Sequence, residues 1–355
     1  MADIALQNKW RRYERRWKFR DFYFNKCLRR HGIVKYFHRE PVMPHYAHKW
    51  VMSSKKTNDY IYNRILEGKP FLACRFGNTE LQVLVGELKD RICGYSDENE
   101  EHTSRWYNRM CEGAGFFPND RTNLGQYADT MLEACKQIDL LAMWHLHMED
   151  FVIEEYAHQA DLTFLFRLEP WLYHGRPWSA ALKGKKVLII HPFVETIKKQ
   201  YQRREEIFPG TDILPEFDLK TLKAVQTIAG ERDDRFSTWF EALEYMYNEA
   251  MKIDFDIAII GCGAYGMPLG GMLKKADVYK RQVLWDSSID TYGENISVER
   301  LGTDDKNQKM YYIKNGEGDA DITLPIHAYK YIYVYDEDGS IIPVSYTHLL
   351  FMSSK

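Results

Sequence analysis

The sequence lacks the marks of several common protein classes. No run approaches the roughly 20 consecutive apolar residues that span a bilayer. The basic, aromatic N-terminus has no apolar core of the kind a secretory signal carries. Six cysteines in 355 residues form no CxxC pair and no Cys/His cluster at zinc spacing. They read as free thiols in a reducing compartment, which excludes a disulfide scaffold. No Gly-x-Ser-x-Gly elbow, P-loop or HExxH occurs. A formal net charge of −3 gives no global pull toward nucleic acid, so no nucleic-acid partner is expected. What remains is a cytoplasmic globular protein. At 45% hydrophobic it has enough apolar material for one large domain or two ordinary ones.

What is present begins with strand-like, mostly apolar runs of five to seven residues: Phe71–Arg75, Asp139–Trp144, Leu162–Leu168, Lys186–Ile190 and Phe255–Ile260, with Leu219–Thr227 a further strand. Helical patterns lie between them at 58–67, 81–88, 104–112, 125–137, 195–204 and 237–253. Buried strands alternating with helices predict an α/β fold with a doubly wound, mostly parallel sheet. Residues 1–49 read as a basic helical extension. From Lys9 to about His38, Arg and Lys alternate with Trp10, Tyr13, Trp17, Phe19 and Phe22. Such a helix either packs its aromatic face on the domain or meets a membrane surface or partner complex through residues 9–38.

A seam interrupts the chain at 277. Asp277–Gln282 reads DVYKRQ and Val344–Leu349 reads VSYTHL. One coding of the first hexapeptide has a reverse complement that encodes the second in a shifted frame. That DNA resembles the end of a transposon-based sequencing adaptor. Residues 50–276 are therefore expected to be a domain without its C-terminal part, and 277–355 a chimeric tail. Within that tail a period-2 run, Ala328–Tyr335, precedes the turn signal Asp336–Gly339, a small β-type fragment with no evident site.

Three strand-to-helix junctions carry residues suited to chemistry. In open α/β sheets ligands sit at such junctions. In Arg75-Phe-Gly-Asn-Thr-Glu80, Gly77 permits close approach of a phosphate and Arg75 offers a bidentate contact. Glu80 could ligate magnesium or manganese together with substrate phosphates. The plain alternative is a helix capped by Asn78, with Glu80 in its positive first turn. At the second junction, His191 and Glu195 follow the KKVLII strand and suit acid–base or orienting work. The third, Gly261-Cys-Gly-Ala-Tyr-Gly266, fits G-x-G-x-x-G between strand and helix. Its late position argues for a phosphate-cradling or close-packing loop rather than an NAD site.

The blocks FLACRFGNTEL (71–81), GAGFFPND (113–120), LEPWLYHGRPWSAALKGKKVLIIHPF (168–193), ILPEFDLKTLKAVQTIAG (213–230) and FDIAIIGCGAYGMPL (255–269) resemble the GT-D-type bacterial glycosyltransferases. The resemblance covers about residues 50–276. It implies a Rossmann-like fold, a nucleotide-sugar donor such as a UDP-sugar, and a divalent cation at an Asp-x-Glu motif. By position that motif falls on Asn78-Thr-Glu80, so Asn78 removes one negative charge and weakens the cation site.

Together these readings predict transfer of a hexose from a nucleotide-diphosphate sugar to a glycan acceptor in bacterial surface-polysaccharide or glycoprotein synthesis. Arg75 and Gly77 would bind the diphosphate, and Glu80 with Asn78 the manganese or magnesium. Gly261, Gly263, Tyr265 and Gly266 would line the donor side, with His191 and Glu195 as the catalytic pair. The location expected is the cytoplasm, peripheral to the inner face of the membrane. The alternatives are a non-catalytic scaffold or regulator of a polysaccharide-synthesis complex, and an NAD-dependent oxidoreductase. The 355-residue chain is itself expected to be inactive or poorly folded, with a sheet edge left uncovered after residue 276.

Overall fold

The computed structural model describes residues 3–22, 44–227 and 233–276. It also describes the backbone of five strands at 282–285, 296–303, 309–315, 334–335 and 341–342. The predicted α/β class is observed. Seven strands form one sheet: β3 (Phe71–Cys74), β4 (Leu140–Met143), β5 (Asp161–Phe164), β6 (Lys186–His191), β7 (Asp218–Lys223), β8 (Ile257–Ile260) and β9 (Gln282–Trp285). Their order is β5-β4-β3-β9-β8-β6-β7, and every neighbouring pair is parallel. Separate from this sheet, β1 (His45–Tyr46) and β2 (Lys49–Trp50) form a short hairpin.

The alternation of side chains explains why β3, β4, β8 and most of β6 are apolar at successive positions. Phe71, Ala73, Leu140, Ala142, Val187, Ile189, Ile257 and Ile259 enter one core. Leu72, Cys74, Leu141, Met143, Leu188, Ile190, Ala258 and Ile260 enter the other. Successive residues point to opposite faces, and both faces are covered, so the strand centres of β3, β4, β6 and β8 are apolar, while the edge strands β5 and β7 carry polar residues. Helix α2 (Ser54–Glu67) covers the first face through Ile61 and Ile65. It starts at Ser53, whose hydroxyl accepts from Lys56 N–H, and ends at Gly68 in the left-handed region.

The second face carries α3 (Asn78–Cys93), α4 (Asp97–Gly113), α5 (Leu124–Cys135), α6 (Glu149–Tyr156), α9 (Trp239–Met251) and α10 (Gly266–Ala276). The N-terminal helix α1 (Ile4–Asp21) packs there too, through Trp10 and Tyr13, each 1% exposed. Both rings meet Phe151 edge-on, and Trp17 meets His147. Lys9 pairs with Glu154 and Glu155, Glu14 with Lys89, and Arg20 with Asp150. The aromatic-face packing expected of this helix is thus observed over 4–21, while residues 23–43 lie outside the described residues.

Two expectations change here. Leu165–Leu168 is not strand but a 3₁₀ turn continuing from β5. And β9 lies in the middle of the sheet, Leu72 opposite Val283 and Ala258 opposite Val283 on its other side. The sheet therefore takes in Gln282–Trp285, beyond the boundary drawn at 276, and its edges are β5 and β7 rather than an exposed strand after α10. Beyond it, β10 (Ile296–Thr303) pairs with β11 (Lys309–Asn315) and β12 (Val334–Tyr335) with β13 (Ile341–Ile342), all antiparallel. The rest of the period-2 run 328–335 and the turn at 336–339 lie outside the described residues.

Candidate functional site

Because the sheet is wholly parallel, the three predicted junctions emerge on one edge of it. The chain leaves β8 into α10 on one face, and leaves β6 into α7 (Val194–Gln202) on the other, where Ile197 is buried. Adjacent strands whose helices diverge to opposite faces open a crevice at their C-terminal ends. The Gly261 loop and His191 flank that crevice directly, since Gly261 N–H donates to Ile190 C=O at 2.9 Å. The Arg75–Glu80 turn stands on the same edge, with β9 between β3 and β8.

In the β3–α3 turn, the helix begins at Asn78 with Gly77 as its N-cap, and no side chain caps it. The expected Asn78 cap is therefore corrected. Asn78 is one residue too far along, its own backbone already helical. Glu80 occupies the first turn, as expected, and its carboxylate folds back over the Gly77 Cα, where a Cβ would overlap it. Gly77 has φ −71, so the need for glycine is one of space and not of backbone conformation. Burial pushes the Glu80 carboxyl up, opposed by its own backbone N–H and by the nearby Arg75 charge. Arg75 is 8% exposed, its guanidinium 5.5 Å from the centroid of the Trp144 ring. Trp144 Nε1–H donates to Phe76 C=O at 2.9 Å, fixing the turn against the end of β4.

The glycine-rich loop is built differently. Gly263 has φ +59, and a Cβ there would lie 2.9 Å from Ala114 C=O. That carbonyl also accepts from Ala264 N–H at 3.1 Å. Two of the loop's amides, Gly261 and Ala264, are thus committed to protein carbonyls rather than turned to a ligand. Tyr265 is 1% exposed and stacks on Trp239 with centroids 5.1 Å apart, and Gly266 is buried as the first residue of α10. Of the two roles open to this loop, close packing is the one the contacts serve. It packs on the segment 114–116, where Gly115 C=O accepts from Thr227 Oγ at 2.6 Å.

His191 is 2% exposed at the end of β6. Its Nδ1 accepts from Phe193 N–H at 3.0 Å, which places the proton of the neutral ring on Nε2. That tautomer suits a donor that orients an oxygen better than a base. Glu195 is not drawn into the edge: its side chain is 75% exposed and pairs with Lys198 at 2.8 Å. The two residues expected to act together are therefore in different settings. Tyr127 links the two sides of the edge, its hydroxyl donating to Glu80 C=O at 3.4 Å and its ring lying 5.8 Å from that of Trp239.

A polar cluster at the end of β4 was not foreseen, although the segment Trp144-His-Leu-His-Met-Glu-Asp150 carries the residue types that signal one. Glu149 is fully buried and accepts from Trp144 N–H, Leu146 N–H and the Tyr46 hydroxyl at 3.2–3.4 Å. Burial raises its carboxyl to about 7. Asp150, also buried, pairs with Arg20 at 3.3 Å. His145 has φ +63, and neither ring nitrogen has a hydrogen-bond partner among the described residues. Burial, then the Arg20 charge, lowers it to about 4. His147 is lowered to about 4 as well, chiefly by burial, and its Nδ1 lies 3.0 Å from Gln82 Oε1.

Among the described residues no three His, Cys, Asp or Glu side chains stand close enough to hold a metal ion. Glu80 supplies one carboxylate and Asn78 an amide oxygen, a set that fits magnesium or manganese only when substrate phosphates complete it. No helix among the described residues is long and apolar enough to cross a membrane. Comparison with protein-family models, with curated proteins and with solved structures gives no match.

Proposed function

We propose that the chain descends from a Rossmann-like, GT-D-type glycosyltransferase. That parent enzyme moves a hexose from a nucleotide-diphosphate sugar to a glycan acceptor on the cytoplasmic side of a bacterial membrane. What supports the reading is one observation: the Arg75–Glu80 turn, the Gly261 loop and His191 share the C-terminal edge of one parallel sheet. Arg75 and the first amides of α3 would neutralise the leaving diphosphate once the Glu80 carboxylate turns from them to the cation. Glu80 and Asn78 would hold a divalent cation against it, and the cation would stabilise the charge that develops on the leaving oxygen. His191, donating through Nε2, would orient the acceptor hydroxyl. Glu195 plays no part in this geometry.

The sequence feature that favours a non-catalytic scaffold instead is Asn78, which leaves a single carboxylate where the resemblance expects two. The NAD-dependent alternative loses support because the Gly261 and Ala264 amides are already bonded to Ile190 and Ala114. One titration separates the three. The full chain is melted alone, with a UDP-sugar and manganese, and with NAD. Transfer predicts a rise in melting temperature with the UDP-sugar that needs manganese and is lost in Glu80→Ala. No response to any nucleotide would leave the scaffold reading, and a response to NAD alone would favour the oxidoreductase.

A further inference from the structure

The Arg75 turn is shaped in part by a residue of the neighbouring strand. Trp144 follows β4 directly, and β4 runs parallel beside β3 with Leu141 opposite Cys74. Its indole therefore reaches across to the segment that follows β3, where it makes two contacts at once. Nε1–H donates to Phe76 C=O at 2.9 Å, and the Arg75 guanidinium lies over the ring, 5.5 Å from its centroid. Arg75 Nη1–H donates to the same carbonyl at 3.4 Å, so indole and guanidinium share one acceptor. Trp144 is itself held from the other side, its backbone N–H donating to the buried Glu149 carboxylate at 3.3 Å. The chain then turns away at His145, with φ +63.

An arginine side chain loses rotamer freedom when it grips a ligand. A ring that places the guanidinium beforehand removes part of that cost before the ligand arrives. An aromatic face also suits the task better than a carboxylate, because it attracts the cation without cancelling its charge. That charge is felt at the Glu80 carboxylate, in the first turn of α3. We infer that Trp144 is a positioning residue for the diphosphate, setting the affinity of the site by holding the Arg75 guanidinium beside the start of α3. It acts through Arg75 and not by touching phosphate. The inference rests on the sugar-transfer reading, in which Arg75 meets the leaving diphosphate.

The test is calorimetric titration of the full chain with UDP in the presence of manganese, arranged as a double-mutant cycle. Trp144→Leu should weaken UDP about tenfold, within the range of a partly desolvated cation–aromatic contact. Trp144→Phe keeps a ring and loses the N–H, and should weaken it only about threefold. In the Arg75→Ala background neither change should cost anything further, whereas a general loosening of the sheet edge would weaken binding in both backgrounds. Manganese dependence should persist in each Trp144 variant, because Glu80 is unchanged. Melting temperatures identify a variant that has not folded, and Trp144→Phe then carries the cycle alone. Wild-type affinity in the Trp144 variants, or a loss as large without Arg75 as with it, would overturn the inference and leave the sugar-transfer reading standing. No binding of UDP by the wild-type chain would overturn both.

Discussion

The Arg75–Glu80 turn and the Gly261–Gly266 loop look alike as sequence and are used in opposite ways. Each follows a buried strand, each contains glycine, and each opens a helix on the same face of the sheet. In the first, glycine makes room for a carboxylate: Glu80 folds over Gly77, and no side chain caps the helix. In the second, glycine makes room for the protein itself: Gly263 sits against Ala114, with Tyr265 stacked on Trp239 behind it. A glycine-rich pattern specifies close approach. What approaches the glycine differs: the segment 114–116 meets Gly263, whereas Gly77 is met by the Glu80 carboxylate of its own helix.

The largest test of this contrast uses pH, because the titrating groups lie on one side only. Glu149, beside the Arg75 turn through Trp144, has its carboxyl raised from 4.5 to about 7. The folded state thus holds that proton more tightly than the unfolded chain. Its contribution is present in full below about 4.5 and is lost as pH rises to about 7, an effect on the order of 3 kcal/mol. His145 and His147, lowered to about 4, act in the opposite sense: their contribution is present above 6.5 and lost as pH falls toward 4. Glu149→Gln should remove the first trend and leave the second, so urea midpoints of the variant should rise between pH 4 and 6.5. On the loop side burial raises Cys262 and Tyr265, which stay neutral over this range.

The same alanine placed in the two turns gives a smaller and more pointed contrast. Gly263→Ala meets both a positive φ and a backbone carbonyl, and should cost about 2 kcal/mol of stability. Gly77→Ala meets only the end of a flexible side chain at an ordinary φ, and should cost less than about 1 kcal/mol. It should nevertheless displace the Glu80 carboxylate and reduce any manganese-dependent response to a UDP-sugar. Equal losses of stability in the two variants, by chemical denaturation, would erase the distinction between the turns.

The strands and the fold class were legible because burial on both faces leaves β3, β4, β8 and the interior of β6 (Val187–Ile190) apolar. The packing of α1 was one of two readings its aromatic residues allowed, and they do not by themselves mark its face: Trp10 and Tyr13 are buried, whereas Phe19 is exposed. Helix α6 was not, since Glu149–Tyr156 is short and follows β4 through a loop held by Glu149 and by positive φ at His145 and Met148, neither of them glycine. The β1–β2 hairpin turns through Ala47 and His48, also at positive φ, and so carries no Asn-Gly or Asp-Gly signal. The central place of β9 was hidden because sequence composition around 277 says nothing of which backbone fills the gap between β3 and β8. At the candidate site, the three junctions fall at the C-terminal ends of β3, β6 and β8, which follows from their place after apolar runs in a parallel sheet. The separation of His191 from Glu195 depended on the angle at which α7 leaves β6.

The claim most open to direct test is that the start of α3 binds a diphosphate through a cation at Glu80. Calorimetric titration of UDP in the presence of manganese, into the wild-type chain and into Asn78→Asp, addresses it. Placing a second carboxylate beside Glu80 should tighten manganese-dependent binding, on the order of tenfold for one well-placed charge. Binding unchanged by Asn78→Asp, or independent of manganese in both proteins, would contradict the account.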